Sequence, residues 1–145
     1  MIVERSLTLL MFVGIIHLQT RAQSYGDLDT GFKMELAVVD SSIVVEITTT
    51  ATYPCEGYRI KATAVRNRDT VTIRMFGLVR PTPCFQTASE ATGRVAFSSL
   101  NPGSYILQVN YRNVNDFYKL TLSERKNLVL PIHSTFTRLN GFLSD

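Results

Sequence analysis

The sequence predicts an all-β domain of about seven or eight antiparallel strands, and a few observations carry that prediction. From Phe32 onward, apolar residues recur again and again with a period of two, the spacing that puts alternate side chains on one face of a strand. Asn, Asp, Gly and Pro punctuate the apolar runs where a chain has to reverse. No stretch beyond residue 30 shows the 3.6-residue period of an amphipathic helix. Short strands separated by turn signals form a sandwich or a barrel.

Taken in order, Phe32, Met34, Leu36 and Val38 point one way, and Ile43, Val45 and Ile47 answer them across a turn at Asp40-Ser41. That register sets Leu36 against Val45 and Val38 against Ile43, and a slip of one residue would expose the whole apolar set. In the second hairpin, Ile60, Ala62 and Ala64 alternate with Arg59, Lys61 and Thr63, and Val71, Ile73 and Met75 alternate with Thr72, Arg74 and Phe76. A turn at Asn67-Arg68 would align Ala64 with Val71, Ala62 with Ile73 and Ile60 with Met75, small against large. The same register sets Arg66 opposite Asp69, Lys61 opposite Arg74 and Phe76 opposite Arg59. An irregular stretch, 78–92, follows with Pro81, Pro83 and Cys84. Val95 and Phe97 then mark a strand, and Tyr105, Leu107, Val109 and Tyr111 the next. A turn near Val114-Asn115 would bring Tyr118, Leu120 and Leu122 against Tyr111, Val109 and Leu107. Asn127 to Ile132 reads as a last short strand, with Pro131 suited to an edge. Residues 133–145 show no period and read as a C-terminal tail.

Composition narrows the classes. The chain has 145 residues, enough for one domain, and a formal net charge of +3, far from the dense positive face of a nucleic-acid binder. A hydrophobic content of 45% is that of a globular protein. No apolar run reaches the roughly 18 to 20 residues that span a bilayer. Residues 1–22 read as a secretory signal peptide: Arg5, an apolar core from Leu7 to Leu18, then small Thr20 and Ala22 before a cleavage point. An uncleaved short anchor is the alternative. Removing them leaves about 123 residues with a net charge of about +2: a loose lead-in at 23–31, a β domain at 32–132 and the tail. Export would place the protein outside the cell, in a periplasm or at the envelope. There an oxidising environment would join Cys55 to Cys84, the only cysteines. The loop of about 30 residues so closed is worth roughly 3.5 kcal/mol in the chain-entropy account. Both cysteines lie just past the open end of the second hairpin, so the bridge would clip its exits together.

The stretch "SSLNPGSYILQV", Ser98 to Val109, carries a resemblance. Pro102 sets one backbone angle, Gly103 accepts angles that other residues resist, and Tyr105 begins the next strand with its ring inward. Leu100, Pro102, Gly103 and Tyr105 so spaced resemble the tyrosine corner of immunoglobulin-like and fibronectin type III domains, and are similar to the corner of transthyretin-like and collagen-adhesin B-type sandwiches. The resemblance spans Val95 to Leu122 and implies a Greek-key β-sandwich whose Tyr105 hydroxyl bonds the backbone a few residues back. Trp is absent and the cysteines do not flank the core strands of an antibody domain, so the resemblance implies architecture without an antibody-like role. The "AQS" junction after the signal resembles exported proteins of the Bacteroidota.

Chemistry is sparse. His17 leaves with the signal, so His133 is the one histidine of the mature chain; no zinc site, catalytic residue or cofactor site is expected. Glu35 and Glu46 face one another and could hold a hard cation, or simply sit on a wet face. The outer face of the second hairpin is more informative. Arg59, Lys61 and Arg74, with Phe76 there and Phe85 beside Cys84, form a candidate binding face for an anionic or protein partner, or else a solvated face that guards an edge strand. The expectation is an exported, non-enzymatic binding or scaffolding module. Its partner would be an envelope or extracellular protein, or an anionic glycan. The alternatives are a small secreted inhibitor or accessory protein presenting loop 78–92, and a carbohydrate-binding domain.

Overall fold

A computed structural model of the chain describes residues 31–39, 42–98 and 100–142. The expected signal peptide, nearly all of the lead-in and the turn residues Asp40 and Ser41 lie outside the described residues. The nine strands are β1 (Phe32–Val39), β2 (Ser42–Tyr53), β3 (Arg59–Asn67), β4 (Thr70–Val79), β5 (Ser89–Ser98), β6 (Gly103–Tyr111), β7 (Val114–Leu122), β8 (Leu128–His133) and β9 (Thr137–Phe142). They form one sheet in the order β8-β7-β6-β4-β3-β5-β2-β1-β9, nearly closed into a barrel. The all-β expectation holds. The strand count exceeds the expected seven or eight, and the β4–β6 and β1–β9 pairs are parallel.

The inward faces are those the alternation marks. Met34, Leu36, Val45, Ile47, Val71, Ile73, Leu107, Val109 and Leu120 have no exposed surface. They belong to one core that runs through the barrel, with Phe32, Tyr111 and Tyr118 packed into it. The first hairpin has the expected register, Leu36↔Val45 and Val38↔Ile43, with Glu35 facing Glu46.

The other two hairpins keep the expected faces but change partners. β3 and β4 turn at Arg68-Asp69, so Ala64 pairs with Ile73, Ala62 with Met75 and Ile60 with Leu78. Arg66 lies opposite Val71, not Asp69. β6 and β7 turn at Arg112-Asn113, so Leu107 pairs with Tyr118, Tyr105 with Leu120 and Val109 with Asp116. Each turn begins on an arginine with positive φ, 53° at Arg68 and 54° at Arg112. Arginine is not a residue that announces the left-handed conformation. The neighbouring asparagines draw the prediction away from both turns. Moving a turn by one residue, as in the second hairpin, moves the pairing by two, and by two residues, as in the third, by four; either way every side chain stays on its face, so alternation cannot detect the error.

The expected tail contains a strand. β9 lies parallel to β1, with Phe32↔Thr137 and Met34↔Leu139. What holds it is a buried carboxylate. Asp116 is 0% exposed and accepts from the backbone N–H groups of Thr135 (2.7 Å), Phe136 (3.0 Å) and Thr137 (2.7 Å) and from the hydroxyls of Thr135 and Thr137. The Tyr118 hydroxyl donates to the Thr137 carbonyl at 2.9 Å and lies 2.7 Å from its Oγ1. Burial pushes the Asp116 carboxyl upward, but the hydrogen bonds from Thr137 and Thr135 outweigh it and hold the group below the usual carboxylate range. Burial raises the Tyr118 hydroxyl, and the Asp116 charge adds to that rise against the hydrogen bond to Thr137.

The backbone hydrogen bond expected of the Tyr105 hydroxyl is formed. Tyr105 is 7% exposed, and its hydroxyl donates to the Asn101 carbonyl at 2.9 Å. Tyr105→Phe is expected to lower stability by about 1 kcal/mol, the usual worth of one such bond. Urea unfolding reads it directly, and an unchanged midpoint would mean the corner bond contributes nothing.

Candidate functional site

The site is built from the outer face of β3 and β4 and the loop that follows. Arg59 and Lys61 project outward because Ile60 and Ala62 take the inward positions between them. On β4 the ladder slips: Lys61 pairs with Gly77 and Ala62 with Met75, leaving Phe76 as the extra residue of a bulge. Gly77 sits there at φ 138°, a conformation that side chains resist. The bulge corrects the expected like-charge contact. Lys61 faces Gly77, Arg74 faces Thr63 and Arg59 faces Val79, so neither Lys61 with Arg74 nor Phe76 with Arg59 forms a cross-strand pair. Phe76 is 43% exposed and Phe85 66%. Arg59, Lys61 and Arg74 are exposed, and no ion pair within 4 Å engages them among the described residues.

Cys55 and Cys84 are bridged, with Cα atoms 5.3 Å apart. Cys55 is buried under the loop, whose backbone is tied down by Glu56 N–H donating to the Phe85 carbonyl at 3.2 Å. The bridge joins the exits of the β3–β4 hairpin. It also seats Phe85 and Pro81 beside Arg59, Val79 and Arg80 around a cavity of about 430 Å³. Arg59 lines a second cavity of about 430 Å³ as well, with Lys61, Arg94 and Glu46 on its walls and Gly93 in its floor. A Cβ at Gly93 would lie 2.8 Å from the Ile60 Cβ and 2.9 Å from its carbonyl oxygen, so only glycine lets β5 come this close to β3.

Arg80 is the member of this cluster that sequence reasoning passed over, because the irregular 78–92 stretch gave no indication of which way its side chains face. Arg74 and Phe76 share the outer face but do not line either cavity. The facing glutamates are engaged separately: Arg94 Nε lies 3.5 Å from Glu46, and Asn140 Nδ2 donates to Glu35 at 3.4 Å. Among the described residues no group of three or more His, Cys, Asp or Glu side chains is placed to hold a metal ion. Among the described residues no helix is long and apolar enough to cross a membrane. His133 is exposed on β8, opposite Phe117. At the opposite end, Leu100, Asn101, Pro102 and Val38 border a smaller hollow.

Chemically, the arrangement offers cationic donors beside apolar and aromatic surface on a backbone held by a disulfide. Arg with exposed aromatic residues is the composition of contact surfaces between proteins. No family model, no curated protein and no solved structure matches this chain.

Proposed function

We propose that this chain is an exported, non-enzymatic binding or scaffolding module that engages another envelope or extracellular protein through the disulfide end of its outer β3–β4 face. The observation that carries the reading is the gathering of Arg59, Arg80, Val79 and Phe85 around one concave surface, with Phe85 66% exposed. An exposed Phe beside arginines on a pinned loop costs little ordering entropy when it docks. The disulfide is compatible with export. In this reading the two halves of the barrel, β8-β7-β6-β4-β3 and β5-β2-β1-β9, act as the facing sheets of an immunoglobulin-like sandwich. The Tyr105–Asn101 bond supports that view.

A second reading, a small secreted inhibitor or accessory protein, is favoured by the same exposed Phe85 on the clipped loop. The test of both is a pull-down with the oxidised domain as bait and envelope and secreted fractions as prey. A stoichiometric partner lost with Phe85→Ala and Arg80→Glu, while circular dichroism stays unchanged, is the expected result. If reduction of Cys55–Cys84 also abolishes capture with the fold retained, the loop-presenting inhibitor is favoured. Capture that ignores both substitutions would remove this face from the proposal, and a partner of anionic glycan alone would replace the protein partner.

A further inference from the structure

β3 and β5 lie side by side and parallel where Arg59 meets Thr92. The next residues, Ile60 and Gly93, approach so closely that a Cβ on Gly93 would lie 2.8 Å from the Ile60 Cβ. Ile60 is buried, so the residues on either side of this contact face outward: Arg59 and Lys61 on β3, Thr92 and Arg94 on β5. All four are exposed and border the cavity of about 430 Å³ between the strands. Three cations therefore share one hollow. Among the described residues no ion pair engages Arg59 or Lys61, whereas Arg94 Nε lies 3.5 Å from Glu46 on the β2 side. Like charges on adjacent strands repel one another, and β3 carries no acidic residue to offset that cost.

We propose that this hollow binds a sugar unit carrying a sulfate or phosphate ester. It takes a different ligand from the Phe85 end, so the inference goes beyond the protein-binding role. A tetrahedral ester presents three outer oxygens, one for each of Arg59, Lys61 and Arg94, where a planar carboxylate presents two. The guanidinium groups offer forked donors to such oxygens, and Lys61 adds a compact point charge. The sugar follows from the rest of the wall. The cavity exceeds what a bare oxyanion fills, and its 430 Å³ falls within the roughly 300 to 1,000 Å³ of small-molecule sites. Beyond the cations it offers the Thr92 hydroxyl and the Glu46 carboxylate, which are partners for sugar hydroxyls. Glu46 has the wrong sign for a second ester. Three cations against one carboxylate therefore select a single anionic group on a hydroxylated body over a densely charged chain.

The test titrates the oxidised protein with glucose 6-phosphate, glucose 6-sulfate, glucuronate, glucose and inorganic phosphate, read by calorimetry and by the amide resonances of Thr92 and Gly93. At least one of the two esters is expected to bind and to shift both resonances, and the tighter of them names the source of the oxyanion. Lys61→Gln removes a cation that borders this hollow and not the Phe85 one, and should weaken the ester about tenfold, or about 1.4 kcal/mol. Lys119→Gln makes the same charge change on β7 and should leave the affinity within twofold. An equal loss with Lys119→Gln would overturn the site, since net charge alone would then account for binding. Equal binding of glucuronate would overturn the tetrahedral ester, and equal binding of inorganic phosphate would overturn the sugar. If neither ester binds, or the shifts lie away from Thr92 and Gly93, the proposal fails. A protein that captures its partner through Phe85 yet ignores both esters would lose this site and keep the binding role.

Discussion

Leu107→Asp is expected to leave no folded domain under native conditions. Leu107 has no exposed surface and sits mid-strand on β6, between Val71 of β4 and Tyr118 of β7. A carboxylate there has no donor within the apolar core. Burying it ionised, or protonating it to avoid that cost, consumes several kcal/mol, comparable with the roughly 5 to 15 kcal/mol that separates folded from unfolded states. Ile73→Asp, on β4 in the same core, should behave alike. Lys119→Glu and Thr63→Asp place the same chemistry on exposed positions and should change stability by about 0.5 kcal/mol or less. Circular dichroism and urea unfolding compare the four variants. A folded Leu107→Asp protein would mean that the inward face of β6 is wrongly assigned.

The second large effect is at Asp116. Asp116→Ala should cost about 3 to 5 kcal/mol, because it strips a buried acceptor from the N–H groups of Thr135, Phe136 and Thr137 and from two threonine hydroxyls. Asp116→Asn keeps the shape but turns an amide N–H₂ toward those donors, so it should recover only part of the loss. The damage should be local first. Amide exchange in β9 is expected to rise in the Asn variant before the core strands respond. The pH dependence has a definite sign. The folded-state pKa of Asp116 is lowered, so the folded chain binds fewer protons than the unfolded chain through this range. The stabilisation is therefore fully present above the unfolded value of about 3.9 and is lost as pH falls through the lower folded value. The stability difference between the native chain and Asp116→Asn should be constant near neutrality and shrink below about pH 4. A difference that stays flat down to pH 2 would show that the carboxylate charge is not what holds the Thr135–Thr137 segment.

Asp116 also shows why the candidate site and the fold were unevenly legible. On the sequence it follows Asn115 at an expected turn, and an Asp in a turn is unremarkable. Its function depends on residues about twenty positions later, in a segment with no period of its own. The cysteines were legible because only one pairing exists and the hairpin places both at its open end. Arg59 and Lys61 were legible as outward residues because their neighbours Ile60 and Ala62 are apolar, whereas the exposure of Phe85 was not. The cavity between Lys61 and Gly93 was not legible, because it lies between β3 and β5, strands separated by β4 and a loop.

By itself the sequence determined the fold class, the inward and outward faces, the Cys55–Cys84 bridge and the Tyr105 corner. Each depends on period-two alternation, on a short motif or on the single possible cysteine pairing, and an even shift in register leaves them unchanged. Only the tertiary structure decided the partners within the second and third hairpins, the parallel placement of β9 on β1 and the buried Asp116 anchor. The hairpin registers turn on arginines in a left-handed conformation that their chemistry does not advertise. The others arise from contacts between segments distant in sequence, where no local pattern records which strand lies beside which.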